Sequence, residues 1–241
     1  MTQKRIVDAK QRRAEIMVAT LFLVTAAASI AGGLLLDSIL KAPNYLAEIS
    51  PNTAAVAWGA LLWSINNIGI VFIAVFMYPL LWKLDENAAV GYLAVRIIEG
   101  TLVMVGVMVT LMLIPLSAEF INAGAPQSSW YVTLGNSLVQ ARLMGLTEVS
   151  LPLLGLGGII FTWMLVRHKM VPRVISVVGL VGYALTLFGG LAVWFGLIDP
   201  AAALGTVINV PVAVFEIILL PFWLFFRGFK MPEATETEVS E

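Results

Sequence analysis

Residues 88–116 read AAVGYLAVRIIEGTLVMVGVMVTLMLIPL. A helix that crosses the hydrocarbon core of a bilayer needs about 20 predominantly apolar residues at about 1.5 Å rise each. This stretch exceeds that length and carries only two charges, Arg96 and Glu99. Working outward, runs of the same kind fill 16–36, 54–81, 149–166, 174–198 and 201–226. Six such runs in 241 residues leave no room for a soluble domain. They predict an all-α integral membrane protein built as a six-transmembrane-helix bundle, with a membrane domain over 16–230.

Composition agrees. Apolar residues make up 60% of the chain and charged residues 12%, about half the charged share of a soluble domain. A net charge of −1 implies no nucleic-acid partner. The absence of cysteine excludes disulfides, thiolate nucleophiles and iron–sulfur ligation. The one histidine, His168, lies between apolar runs in a basic segment, so a haem or multi-histidine metal centre is not expected and no cofactor is implied.

The first run follows Lys4, Arg5, Lys10, Arg12 and Arg13, a basic start that a secretory signal shares. The apolar stretch continues past Ala26, Ala27 and Ala28 to Leu36, which favours an uncleaved anchor helix. Orientation follows from the short loops. With the 1–15 leader in the cytoplasm, the inner side also holds Lys83, the cluster Arg167, His168, Lys169 and Arg173, and Arg227 with Lys230. The outer side holds only Lys41 and Arg142, beside Asp37, Glu48, Glu119, Glu148 and Asp199. Both termini are therefore expected in the cytoplasm, with 231–241 an acidic disordered tail.

The one sizeable exposed segment is 117–147. It opens as a loop with Asn122, Gly124, Pro126, Gln127, Ser128 and Ser129. Trp130, Leu134, Leu138 and Val139 then recur at helical spacing, giving either an interfacial helix or an early start to the fourth span. Pro152, Pro211 and Pro221 are expected to kink spans four and six. Gly155, Gly157, Gly158, Gly189 and Gly190 permit close helix approach.

Chemistry concentrates in a buried layer. Arg96 lies about 12 Å inside the third run, with Glu99 one turn deeper on the same face. Glu216 lies about 15 Å inside the sixth run, and Tyr183 about 14 Å inside the fifth. Asn66 and Asn67 fall near the middle of the second and, being adjacent, cannot both face one site. A charge at such depth costs about 2.5–3.5 kcal/mol on insertion scales, so it should face the bundle interior and find a partner. Arg96 is the obvious partner of Glu99, Glu216 or both. One arginine against two carboxylates leaves a surplus negative charge, to be balanced by a proton, a cation or a cationic ligand.

The turn Arg96-Ile-Ile-Glu99, the Val171-Pro172-Arg173 opening of span five, and the ending Phe215-Glu216 … Phe222-Trp223-Leu224 … Arg227-Gly228-Phe229 resemble a bacterial multi-pass family catalogued as domain of unknown function 4386. The resemblance runs from the first span to the end of the sixth. It implies a six-helix protein of a bacterial plasma membrane and supplies no reaction.

Three readings follow. The first is a site for a small protonatable or cationic solute or a lipid headgroup, formed by Arg96, Glu99 and Glu216 with Asn66, Asn67 and Tyr183 as candidate ligands. Such a site would serve binding or transport. The second is a scaffold in which a buried ion pair only fixes helix packing. The third is an intramembrane enzyme with a glutamate as general acid/base. It is the weakest, because no buried histidine or aspartate stands ready to assist.

Overall fold

The computed structural model describes residues 2–126, 129–199 and 203–231. The remaining residues, including Gln127, Ser128 and nearly all of the expected acidic tail, lie outside the described part. The elements are α1 (Thr2–Leu40), α2 (Tyr45–Ile49), α3 (Thr53–Trp82), α4 (Glu86–Asn122), α5 (Trp130–Leu143), α6 (Ser150–Arg167), α7 (Arg173–Trp194), α8 (Ala203–Val207), α9 (Val210–Val214) and α10 (Leu220–Phe226). Two π-helical turns interrupt the series, π1 (Met144–Glu148) and π2 (Phe215–Leu219). No strand occurs among the described residues.

Five helical stretches are long and apolar enough to cross a membrane: Ala9–Leu40, Thr53–Trp82, Glu86–Asn122, Trp130–Arg167 and Arg173–Trp194. A sixth apolar stretch, Val210–Phe226, is shorter. Neighbours in the chain are neighbours in space: α1 packs on α3, α3 on α4, α4 on α6, α6 on α7 and α7 on α9. α10 returns to α1 and closes the ring. Bilayer-long apolar helices satisfy their own backbone groups, which is the condition for crossing hydrocarbon.

The observed helices depart from the apolar runs in instructive ways. α1 begins at Thr2, so the basic leader is helical and continuous with the first span rather than a separate segment. From Trp130 the 117–147 segment is helix, and it passes through π1 into α6 as one stretch of 38 residues. α7 stops at Trp194 instead of reaching 198. Gly196 takes a left-handed φ of 67°, and the Leu197 N–H donates back to the Ala192 carbonyl at 2.8 Å, a standard helix stop.

The final run, expected as one span over 201–226, is broken between α8 and α9. Both π turns stand just ahead of prolines, π1 before Pro152 and π2 before Pro221. A proline lacks the N–H that would bond the carbonyl four residues earlier, and its ring crowds that carbonyl; a widened turn relieves the crowding. In α6 the carbonyl so released is that of Glu148, which accepts instead from Trp194 Nε1 at 2.7 Å.

Small residues set the closest approaches. A Cβ on Gly155 would fall 2.5 Å from the Leu187 backbone nitrogen, and one on Gly182 would fall 2.7 Å from that of Val212. A Cβ on Gly158 would collide with the Tyr183 ring. These approaches seat α7 between α6 and α9, and Tyr183 with it.

Candidate functional site

Tyr92, Arg96, Glu99 and Val103 recur at helical spacing on the buried face of α4. Arg96 is 2% exposed and Glu99 3%. Arg96 Nη1 donates to Glu99 Oε2 at 2.9 Å, a pair formed within one helix. The guanidinium carbon lies 5.6 Å from the centroid of the Tyr92 ring. Across the bundle, Arg96 Nη2 stands 3.9 Å from Glu216 Oε1, an ion pair too long for a hydrogen bond. That same oxygen accepts a 2.6 Å hydrogen bond from the Tyr183 hydroxyl.

Glu216 belongs to π2, where the widened turn resets the direction of the residues that follow. Its side chain is 25% exposed, unlike Arg96. Glu216 lines a cavity of about 370 Å³ whose walls come from α1, α3, α4, the π1–α6 segment and the α9–π2 segment. Arg96, Glu99, Asn66 and Glu216 all line it. Of the six residues expected from sequence, these four meet at one cavity. Tyr183 stands behind them, holding Glu216. Asn67 departs from the expected ligand role: its Nδ2 donates to the Gly100 carbonyl at 2.8 Å and ties α3 to α4. Adjacent residues on a helix diverge by about 100°, and of the two buried asparagines only Asn66 lines the cavity.

Hydrogen bonding leaves much of the site open. Glu99 Oε1 and Glu216 Oε2 accept no hydrogen bond among the described residues. Arg96 Nε and Tyr92 Oη are buried without one. The Thr25 and Ser29 hydroxyls donate to carbonyls of α1, which leaves their oxygens as acceptors on the wall. The cavity thus offers an excess of acceptors around a net surplus of one carboxylate. It suits a ligand that brings donors and positive charge.

The sequence pattern described as "Domain of unknown function (DUF4386)" matches residues 17–228. The chain belongs to this family. No curated protein and no solved structure matches the chain. The DUF4386 match spans every residue of the site, from Thr25 in α1 to Glu216 in π2.

Sequence reasoning missed two buried charged residues. Glu15, counted with the basic leader, is 2% exposed. It accepts from the Phe229 N–H at 2.8 Å and from Gln11 Nε2 at 2.9 Å, and pairs with Arg12 at 3.3 Å. Arg12 in turn donates to the Leu224 and Phe225 carbonyls at the end of α10. Together they clamp the start of the chain to its last helix. Arg142, counted as an outer loop residue, is buried on α5.

Proposed function

We propose that this protein binds a small protonatable or cationic group, from a solute or a lipid headgroup, at the cavity between Arg96, Glu99 and Glu216. Glu216 and Glu99 are the acceptors, Arg96 is the orienting charge, and Asn66 supplies a neutral donor and acceptor. The setting proposed for it is a six-span bundle in a bacterial plasma membrane with both termini in the cytoplasm. The membrane domain would cover 16–230, and transport of the bound group is the corresponding activity.

One observation carries this reading: a single guanidinium faces two carboxylates, each with an oxygen that accepts no hydrogen bond, at the wall of a cavity. A scaffold that used the charges to fix helix packing would place its strongest pair between helices. Here the 2.9 Å pair lies within α4, and only the 3.9 Å contact crosses to another helix. Burial is expensive for charge. Retaining a surplus carboxylate beside open space is better explained by a ligand than by packing.

Thermal unfolding of the detergent-purified protein in the presence of propylamine tests the reading. A ligand bound only by the folded state stabilises by about 2.7 kcal/mol at 100 times its Kd. Wild type should rise saturably in Tm, and Glu216→Gln should not. Equal behaviour of the two proteins would remove Glu216 from the site.

A further inference from the structure

We propose that the ligand enters this cavity sideways from the lipid, between α1 and α9, and that it is a single-chain amphiphilic amine. The proposal rests on the reading of Glu216 and Glu99 as the acceptors of a cationic group, and adds the route and the tail.

The route is read from how the ring of helices closes. α1 packs against α10 and touches π2, but it makes no sustained contact with α9. At the α10 end the two are fastened further by Arg12, which donates to the Leu224 and Phe225 carbonyls, and by Glu15, which accepts from Phe229 N–H. The last helix therefore meets α1 at one end and parts from it toward the other. The cavity reaches the outer surface of the bundle in that gap. Ile30 of α1 and Ala213 of α9 both line the cavity, and both are exposed on the outer face, Ile30 at 57%.

Along the bundle axis the cavity is flanked by buried apolar clusters. On the α10 side of the cavity lies a buried cluster that includes Met77, Tyr92, Phe161, Phe215 and Leu220. On the other side lies a second cluster with Leu36, Ile49, Val56 and Leu113. Close-packed apolar side chains admit no hydrated solute. A molecule already dissolved in the bilayer meets no such barrier.

The chemistry of the walls changes along the gap. At its mouth stand Ala26, Ile30, Ala213 and Ile217, which suit a hydrocarbon chain; at its inner end stand Asn66, Glu99 and Glu216, which suit a donor-rich cation. A primary ammonium has three donors and no acceptor, matching an acceptor surplus. About 370 Å³ lies near the low end of the 300–1,000 Å³ range of ligand pockets, which favours one chain over a two-chain lipid. Partitioning of the tail also concentrates the ligand beside the gap, so weak headgroup contacts suffice.

The test uses the full chain in phosphatidylcholine vesicles and a long-chain amine bearing a photoactivatable diazirine and an alkyne tag. Labelling should fall on peptides containing 26–30 and 209–217. Unlabelled dodecylamine should compete at concentrations at least about tenfold below those of propylamine. Ala213→Trp, which fills the mouth without touching the charges, should reduce labelling by at least about tenfold. Ala26→Trp approaches from the opposite wall and gives an independent block, and both variants are compared by thermal unfolding to show that they fold. Equal competition by propylamine with undiminished labelling of both tryptophan variants overturns lateral entry and leaves the Glu216 site standing. Labelling that neither amine displaces, or that Glu216→Gln retains, overturns the site itself.

Discussion

The Tyr183 hydroxyl donates to Glu216 Oε1 at 2.6 Å, so a residue of α7 holds the carboxylate that the π turn of the last helix presents to the cavity. The other oxygen of Glu216 accepts no hydrogen bond among the described residues and is the one the proposed ligand would meet. Removing the donor should cost little stability, because interhelical hydrogen bonds in membranes contribute about 0.6 kcal/mol on average and up to about 1.7 kcal/mol. Tyr183→Phe is expected to unfold about 1 kcal/mol more easily in a denaturing-detergent titration, while its propylamine-induced Tm rise falls well below that of wild type. A full ligand response in Tyr183→Phe would mean that Glu216 needs no holding.

Arg96 carries a different weight. Its guanidinium is the only cation within ion-pair distance of either Glu99 or Glu216 among the described residues. Arg96→Met leaves the buried Glu99 and the partly exposed Glu216 uncompensated, and breaking a buried pair by removing one partner costs about 3–5 kcal/mol. Neutralising Glu99 as well should recover most of that loss. The double variant Arg96→Met/Glu99→Gln is therefore expected to be more stable than Arg96→Met alone, measured by the same unfolding titration.

Glycine substitutions separate helix packing from site geometry. A Cβ on Gly155 meets the Leu187 backbone, which cannot move aside without shifting α7; a Cβ on Gly33 meets nothing within 4 Å. Overpacking costs about 1–3 kcal/mol. Gly155→Ala should fall in that range and Gly33→Ala near zero, when their unfolding midpoints are compared. Gly158→Ala should do more than destabilise. It drives against the Tyr183 ring, so it should also weaken the amine response through Glu216.

The clamp between the two ends of the chain is a separate prediction. Glu15 is buried and bonded to Phe229 N–H and to Gln11 Nε2, and Gly228 beside it holds a left-handed φ of 75°. Glu15→Ala removes the acceptor and leaves a buried N–H unpaired, at about 1–3 kcal/mol. Hydrogen exchange over 224–230 should speed up strongly in Glu15→Ala, with little change in α3 and α4. Uniform loss of protection across the bundle would show that the clamp is instead part of the global core.

Much of the site was readable before any coordinates. The spacing of Arg96 and Glu99 put them on one helix face, and counting depth placed Glu216, Asn66 and Tyr183 at the same level. That is where the bundle brings them together. The sequence alone did not show which way each side chain turned. Asn66 and Asn67 differ only in where the helix axis directs them, and one lines the cavity while the other bonds Gly100.

The π turns were also hidden, because one extra residue in a turn leaves no periodic mark in so uniformly apolar a run. The prolines that follow them were the only trace. Glu15 was obscured for another reason. Its partner Phe229 lies 214 residues away, and charge counting naturally assigned it to a solvated leader.

The measurement that tests the account most directly is the unfolding free energy of Glu216→Gln against wild type, with no ligand added. Glutamine keeps an oxygen to accept from Tyr183 and removes the surplus charge. If Glu216 is held ready for a cation at a cost in stability, Glu216→Gln should be as stable as wild type or more so. A loss of about 3 kcal/mol or more would mark Glu216 as one half of a structural ion pair and contradict the account.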